Sequence, residues 1–152
     1  MVGHLDADCF YVSAERVRHP DLVGKPVGVL GNNGACVIAK SYEMRAAGVK
    51  TGTPIWDAMK LCPTGVYVKR DFYWYEVLSR KMLEAVGRHF SPLEYFSIDE
   101  FFFRAHAPRA GQRLHDAALA VRDHILEACG LPVTIGVART RTLAKLFSDT
   151  AK

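Results

Sequence analysis

The chain has 152 residues, 49% hydrophobic and 24% charged, a globular mixture at the length of one domain or of two small ones sharing a core. That excludes a disordered, collagen-like or low-complexity protein, and no apolar run approaches the roughly 18 residues that span a bilayer. The net charge of +4 is uneven: residues 1–10 carry −2, residues 11–70 carry +5 and residues 71–152 carry +1, a basic middle that suits an anionic ligand or is simply a solvated surface.

In chain order, Val2 to Asp6 reads as a strand, apolar until its acids. Residues 9–18 follow as a helix, with Phe10, Ala14 and Val17 at helical spacing, closed by His19-Pro20. Pro26 to Leu30 and Cys36 to Ala39 read as two strands joined by the turn Gly31-Asn-Asn-Gly34. Ser41 to Ala47 is a short helix stopped by Gly48. Thr53 as N-cap and Pro54 as first helical residue open a helix from Ile55 to Leu61. Pro63 ends it, and Val66 to Val68 is a strand.

The longest helix runs from Asp71 to about Phe90, with Tyr75, Leu78, Met82, Ala85 and Val86 on one face. Leu93 to Ile98 and Phe101 to Arg104 are strands with Asp99-Glu100 between them. Residues 111–128 form an amphipathic helix (Leu114, Ala118, Val121, Ile125) stopped by Gly130. Pro132 to Ala138 is a strand and Thr140 to Lys152 a last helix. With the first strand, the segment from 71 onward has the order β-α-β-β-α-β, a ferredoxin-like α+β pattern into which 11–70 is inserted.

Two other residue classes set limits. Cys9, Cys36, Cys62 and Cys129 form no C-x-x-C pair, which fits reduced thiols rather than a disulfide or zinc framework. Asp6 and Asp8 stand where a secretory signal needs basic then apolar residues, so a cytoplasmic protein is expected. His106, His115 and His124 recur every nine residues, share no helix face and read as surface residues.

Chemistry concentrates in two acidic spots. Asp6-Ala7-Asp8 ends an apolar strand, and carboxylates at i and i+2 point the same way and can share a hard cation; a solvated turn capped by Asp8 is the plainer alternative. Ser97-Ile-Asp-Glu100 lies between two apolar strands, where acids need a cation or water. Strand neighbours point to opposite faces, so Asp99 and Glu100 serve one site only at a bend. A ferredoxin-like sheet is expected to set the first strand beside the one after the first crossover helix, with Asp6 facing Asp99. Three carboxylates at one point suit two Mg²⁺ and in-line phosphoryl transfer. Tyr42 and Arg45 share a helix face, where Arg45 can grip phosphate in a bidentate way, and Lys145 stands on the last helix. No P-loop or Rossmann glycine motif occurs.

These residues resemble Y-family (translesion) DNA polymerases. The resemblance runs through Asp6-Ala-Asp-Cys-Phe-Tyr11-Val-Ser-Ala-Glu15, Gly24-Lys-Pro-Val27 and the stretch Val37 to Pro54 with its Tyr42 and Arg45. Ser97-Ile-Asp-Glu100, Val133-Thr-Ile-Gly-Val-Ala138 and Leu143-Ala-Lys145 complete it, in family order over nearly the whole chain. The Leu30 to Asn33 turn and Cys36 to Ala39 look nearer the bacterial SOS-mutagenesis (UmuC-like) branch than the DinB branch.

The resemblance implies a catalytic palm from 1–10 and 71–152 and nucleotide-binding fingers from 11–70. Asp6, Asp99 and Glu100 match the catalytic, metal-binding carboxylates, and the Ala7 carbonyl a main-chain ligand, for two Mg²⁺ with Mn²⁺ able to substitute. Tyr11 matches the steric gate that rejects a ribose 2′-hydroxyl. Phe10 supports the incoming nucleotide, and Tyr42, Arg45 and Lys145 contact its triphosphate. Asp8 matches an acid that is not usually a ligand. Implied partners are dNTP, primer-template DNA and, through C-terminal regions outside this chain, a sliding clamp or accessory subunits; no membrane is implied. Ala39 replaces a common Thr, and Arg104 replaces a common Asp. Thumb and little-finger domains have no counterpart in these residues, so a piece of a larger translesion enzyme is expected. Two rivals remain: a non-catalytic accessory relative, and a ferredoxin-like nucleotidyl cyclase, which Tyr11 and the Tyr42/Arg45 helix disfavour.

Overall fold

The computed structural model describes residues 1–107 and 109–152. The chain forms two compact units, one from Met1–Asp8 with Glu76–Lys152 and the other from Cys9–Tyr75.

The first unit is built on a four-stranded antiparallel sheet of β1 (Val2–Ala7), β5 (Leu93–Tyr95), β6 (Glu100–Arg104) and β7 (Val133–Ala138), in the order β5-β6-β1-β7. Helix α4 (Phe72–Gly87) precedes β5, α5 (Leu114–Cys129) precedes β7, and α6 (Arg141–Thr150) follows it. This is the ferredoxin-like arrangement, with β1 central. One expectation about it is corrected. The strand that follows the crossover helix α4 is β5, and β5 borders β6, not β1. Between β1 and β5 lies β6, so Asp6 faces Glu100 and not Asp99.

Alternation along β1 and β6 sorts the side chains. Leu5, Phe101 and Phe103 are buried, as is the α4 stripe of Tyr75, Leu78, Met82, Ala85 and Val86. Phe90 stacks on Phe103 with centroids 4.7 Å apart. Gly3 leaves room for the Phe103 ring, which any Cβ there would overlap. His4 and Asp6 alternate with Leu5, and α6 packs on β1 and β7. It comes so close that a Cβ on Gly136 would overlap the Ala144 carbonyl oxygen and sit 2.6 Å from the Ser148 amide nitrogen. Thr140 caps α6, accepting from the Leu143 amide. Gly130, at φ 71°, stops α5 as its sequence indicates. The buried stripe of α5 is Ala117, Val121, Ile125 and Cys129, one residue round from the expected Ala118. His124 is half-buried rather than on the surface, 2.7 Å from His89.

In the second unit α1 (Phe10–Arg18) leads to β2 (Val27–Leu30), β3 (Val37–Lys40), α2 (Tyr42–Ala46), α3 (Ile55–Leu61) and β4 (Val66–Lys69). Its sheet order is β3-β2-β4, with β4 parallel to β2. Between β2 and β3 the Asn32–Gly34 turn replaces a tight hairpin, with Asn33 at φ 57°. Val37, Met44, Val49, Ala58 and Cys62 form the core. Ser41 caps α2, its hydroxyl accepting from the Met44 amide. Pro54 takes the N-cap place of α3 itself, while the Thr53 hydroxyl accepts from the Lys50 amide at 3.0 Å. An extended ψ of 145° keeps Pro54 outside the helix. All four cysteines are free thiols.

Candidate active site

In the first unit the acids gather at the Asp6 end of β1. The register sets Asp6 opposite Glu100, and α6 lays Asp149 against them; oxygens of the three carboxylates lie within 4.8 Å of one another. The hairpin bend falls at residues 97–99, because β5 stops at Tyr95 and the amides of Phe96 and Ser97 both donate to the Glu100 carbonyl. Glu100 thus opens β6 instead of lying between strands. Ser79 ties the bend down by donating to the Ile98 carbonyl.

Asp99 sits on that bend. Its carbonyl accepts from the Ala7 amide at 3.0 Å, and its carboxylate accepts from the Ser97 hydroxyl at 2.9 Å. Its carboxylate is not among the three that converge. Asp8 turns elsewhere: its carboxylate accepts from Thr134 at 2.8 Å, and burial raises its pKa.

Two ammonium groups answer the converging acids. Lys152 Nζ is 2.6 Å from Asp6 Oδ1, and Lys145 donates to Glu100 and lies 3.9 Å from Asp149. Burial pushes the Asp6 pKa up to about 6, although Lys152 pulls it back down. Burial also works against the Glu100 carboxylate, yet its bond and attraction to Lys145 win and hold it below the usual range. Both lysines are partly desolvated, and both still keep a raised pKa through these carboxylates. Burying several like charges is unfavourable unless cations neutralise them. Oxygen-only donors of this kind suit a hard divalent cation.

Sequence reasoning missed Asp149 and Lys152. The available signal was spacing: Asp149 is one turn beyond Lys145, on the same face of α6.

The second unit carries the remaining expected residues. Tyr11 stacks on Tyr75, with centroids 4.7 Å apart and planes at 21°, and lies 5.6 Å from the Phe72 ring. Phe10 is buried, edge-on to Tyr75. Tyr75 is held in turn. Its hydroxyl donates to buried Glu15 at 2.8 Å, and Arg18 donates to the same carboxylate at 2.8 and 3.0 Å. Burial, then the bond to Glu15, raises the Tyr75 pKa. Tyr42 and Arg45 are exposed on α2.

Carboxylates converging where the central strand of a ferredoxin-like sheet meets its neighbour are a place where a divalent cation could be held. Residues 5–149 match the impB/mucB/samB family, and the chain belongs to that family. It is similar to "DNA polymerase IV 2" of Mesorhizobium japonicum, 39% identical over 150 residues, covering 98% of this chain and 35% of the relative. "DNA polymerase IV" of Stenotrophomonas maltophilia is 37% identical over 151 residues, covering 98% and 42%. Among solved structures, "Insertion ternary complex of Dbh DNA polymerase" superposes with a TM-score of 0.90 at 32% identity, over 99% of this chain and 46% of that one. "Crystal Structure of DinB from Sulfolobus solfataricus" gives 0.91 at 33%, over 99% and 46%. The chain therefore spans less than half the length of these proteins. Kinship nearer the SOS-mutagenesis branch is not supported, since these relatives carry polymerase IV and DinB names. The short turn and strand behind that expectation were too little sequence to separate two branches.

Proposed function

We propose that this chain is the N-terminal catalytic part of a Y-family DNA-directed DNA polymerase acting in translesion synthesis, with its first unit as palm and its second as fingers. The observation that carries this reading is the meeting of Asp6, Glu100 and Asp149 at one end of the sheet, with lysines supplying the positive charge. Asp6 and Glu100, which converge, would hold Mg²⁺ or Mn²⁺ together with the Ala7 carbonyl and with Asp99, whose carboxylate lies on the adjoining bend and would have to turn from Ser97, while Asp149 stays beside Lys145. Bound there, the metal supplies Lewis acidity toward a primer 3′-hydroxyl and the dNTP phosphates.

The chain's own residues prepare and limit that chemistry. Asp6, with a pKa of about 6, is mostly ionised near neutral pH and ready to bind a cation. Lys145 is a donor for the triphosphate, and Tyr42 and Arg45 offer a hydroxyl and a bidentate guanidinium on α2. Tyr11, fixed on Tyr75, presents a rigid ring against a ribose 2′-hydroxyl. Primer-template DNA and dNTP are the partners this implies, in the cytoplasm.

The test is a chimera in which this chain replaces the matching residues of the Mesorhizobium relative. Template-directed primer extension that needs Mg²⁺ or Mn²⁺ and is lost in Asp99→Ala and Glu100→Ala supports the reading. A folded chimera that binds DNA and extends nothing would favour an accessory role instead.

A further inference from the structure

Among the described residues, Glu15 is the one buried charged side chain of the second unit, 2% exposed, and the proposed chemistry leaves it unused. It stands on α1 between Tyr11, about one turn before it, and Arg18, nearly one turn after it, so the three side chains share a helix face. Tyr75 lies along that face. Its ring stacks on Tyr11 with centroids 4.7 Å apart, and its hydroxyl reaches the next turn to donate to Glu15 Oε1 at 2.8 Å. Arg18 grips the same carboxylate through Nε and Nη2 and donates from Nη1 to Asp71 at 2.7 Å. Asp71 accepts from the Trp74 amide at 3.2 Å, and the Trp74 indole donates to the Ala14 carbonyl at 2.7 Å. The segment that carries Tyr75 is thereby tied to α1 through Asp71 and Trp74 as well as through the Tyr75 hydroxyl.

A buried ion pair is in general no more stabilising than apolar side chains packed into the same volume. What it adds is direction, because a hydrogen bond fixes an atom in place where apolar contact tolerates sliding. Phe10 and Phe72 meet the Tyr75 ring edge-on, at 6.3 and 6.1 Å, contacts that shape its pocket without fixing its tip. The bond to Glu15 pins that tip, and with it the surface on which Tyr11 is stacked. We propose that Glu15 is a positioning residue for sugar selection, locating Tyr75 so that Tyr11 cannot retreat from a ribose 2′-hydroxyl. Discrimination by a clash needs a wall that does not yield, since repulsion falls steeply over a fraction of an ångström. The inference rests on the reading of Tyr11 as the gate given above. Glu15 itself touches no substrate and acts through Tyr75 and Tyr11.

The chimera with the Mesorhizobium relative tests this through the kcat/KM for ribonucleotides against that for deoxynucleotides. Tyr75→Phe, which keeps the ring and loses the hydroxyl, is expected to raise the ribonucleotide kcat/KM and lower the deoxynucleotide preference by roughly two- to tenfold, a usual span for coupling between touching side chains. Glu15→Gln, which keeps an acceptor but gives up the charge that Arg18 holds, is expected to move the preference the same way by less. A chain merely loosened by substitution would lose activity on both substrates, so a gain on ribonucleotides marks the positioning role. In the Tyr75→Phe background Glu15→Gln should add nothing further, because its route to Tyr11 is already cut. Thermal unfolding confirms that each chimera is folded. Either folded variant that keeps the wild-type preference overturns the proposal, and so does a Glu15→Gln effect that adds in full to that of Tyr75→Phe. Tyr11→Ala separates the two readings. A preference changed by Tyr11→Ala but by neither Glu15→Gln nor Tyr75→Phe refutes the role of Glu15 alone, whereas one unchanged by Tyr11→Ala refutes the gate and the role of Glu15 with it.

Discussion

Neutralising Asp6 should stabilise the metal-free protein at neutral pH and do so less in acid. Asp6 is 5% exposed, and burial raises its pKa from 3.8 to about 6 even with Lys152 beside it. The folded state therefore holds this proton more tightly than the unfolded chain does. The stability that protonation contributes is complete below the unfolded pKa and is lost as pH rises through the folded one. A rise of roughly two units corresponds to about 3 kcal/mol of penalty near neutral pH. Asp6→Asn removes the penalty and keeps an oxygen acceptor for Lys152. Linkage predicts that its advantage over wild type shrinks by about 1.4 kcal/mol between about pH 7.5 and about pH 5. Urea denaturation of both proteins at the two pH values measures this difference, and every carboxylate common to both proteins cancels. An advantage that stays constant or grows in acid would refute the reasoning, because Asp6 would then not be a buried acid with a raised pKa.

Four further outcomes are expected. Gly136→Ala forces a methyl group into the α6 backbone and should cost about 1–3 kcal/mol or more, read as a lowered midpoint of thermal unfolding. Tyr75→Phe takes a hydrogen bond from buried Glu15 and should cost about 1–3 kcal/mol in urea denaturation, with near-wild-type stability as the refuting result. In the chimera, Tyr11→Ala should raise the ratio of ribonucleotide to deoxynucleotide incorporation; an unchanged ratio would remove Tyr11 from the gate. The 152-residue chain should bind primer-template DNA weakly at physiological salt, because affinity scales with the number of phosphates neutralised. Micromolar or tighter binding in a fluorescence titration would contradict this.

Much of the fold was legible because local rules agree with it. The helical stripe from Tyr75 to Val86 and the Gly130 stop were both readable from periodicity and terminal chemistry. Pro54 was misplaced by one position because proline's φ suits an N-cap as well as a first helical residue, and only ψ separates the two. The site was legible in part. The acids of β1 and of the bend stood out as charges inside apolar runs, whereas Asp149 and Lys152 looked like ordinary charges on a surface helix.

By itself the sequence determined the elements, the acidic ends of the strands and, through its ordered motifs, the polymerase resemblance, because these are written in neighbouring residues and their spacing. The tertiary structure decided which carboxylates meet. Strand order placed β6 rather than β5 beside β1, the register put Glu100 opposite Asp6, and Gly136 let α6 approach until Asp149, Lys145 and Lys152 closed on the acids. Those outcomes depend on contacts between residues up to 146 positions apart, as between Asp6 and Lys152, a separation that no local pattern encodes.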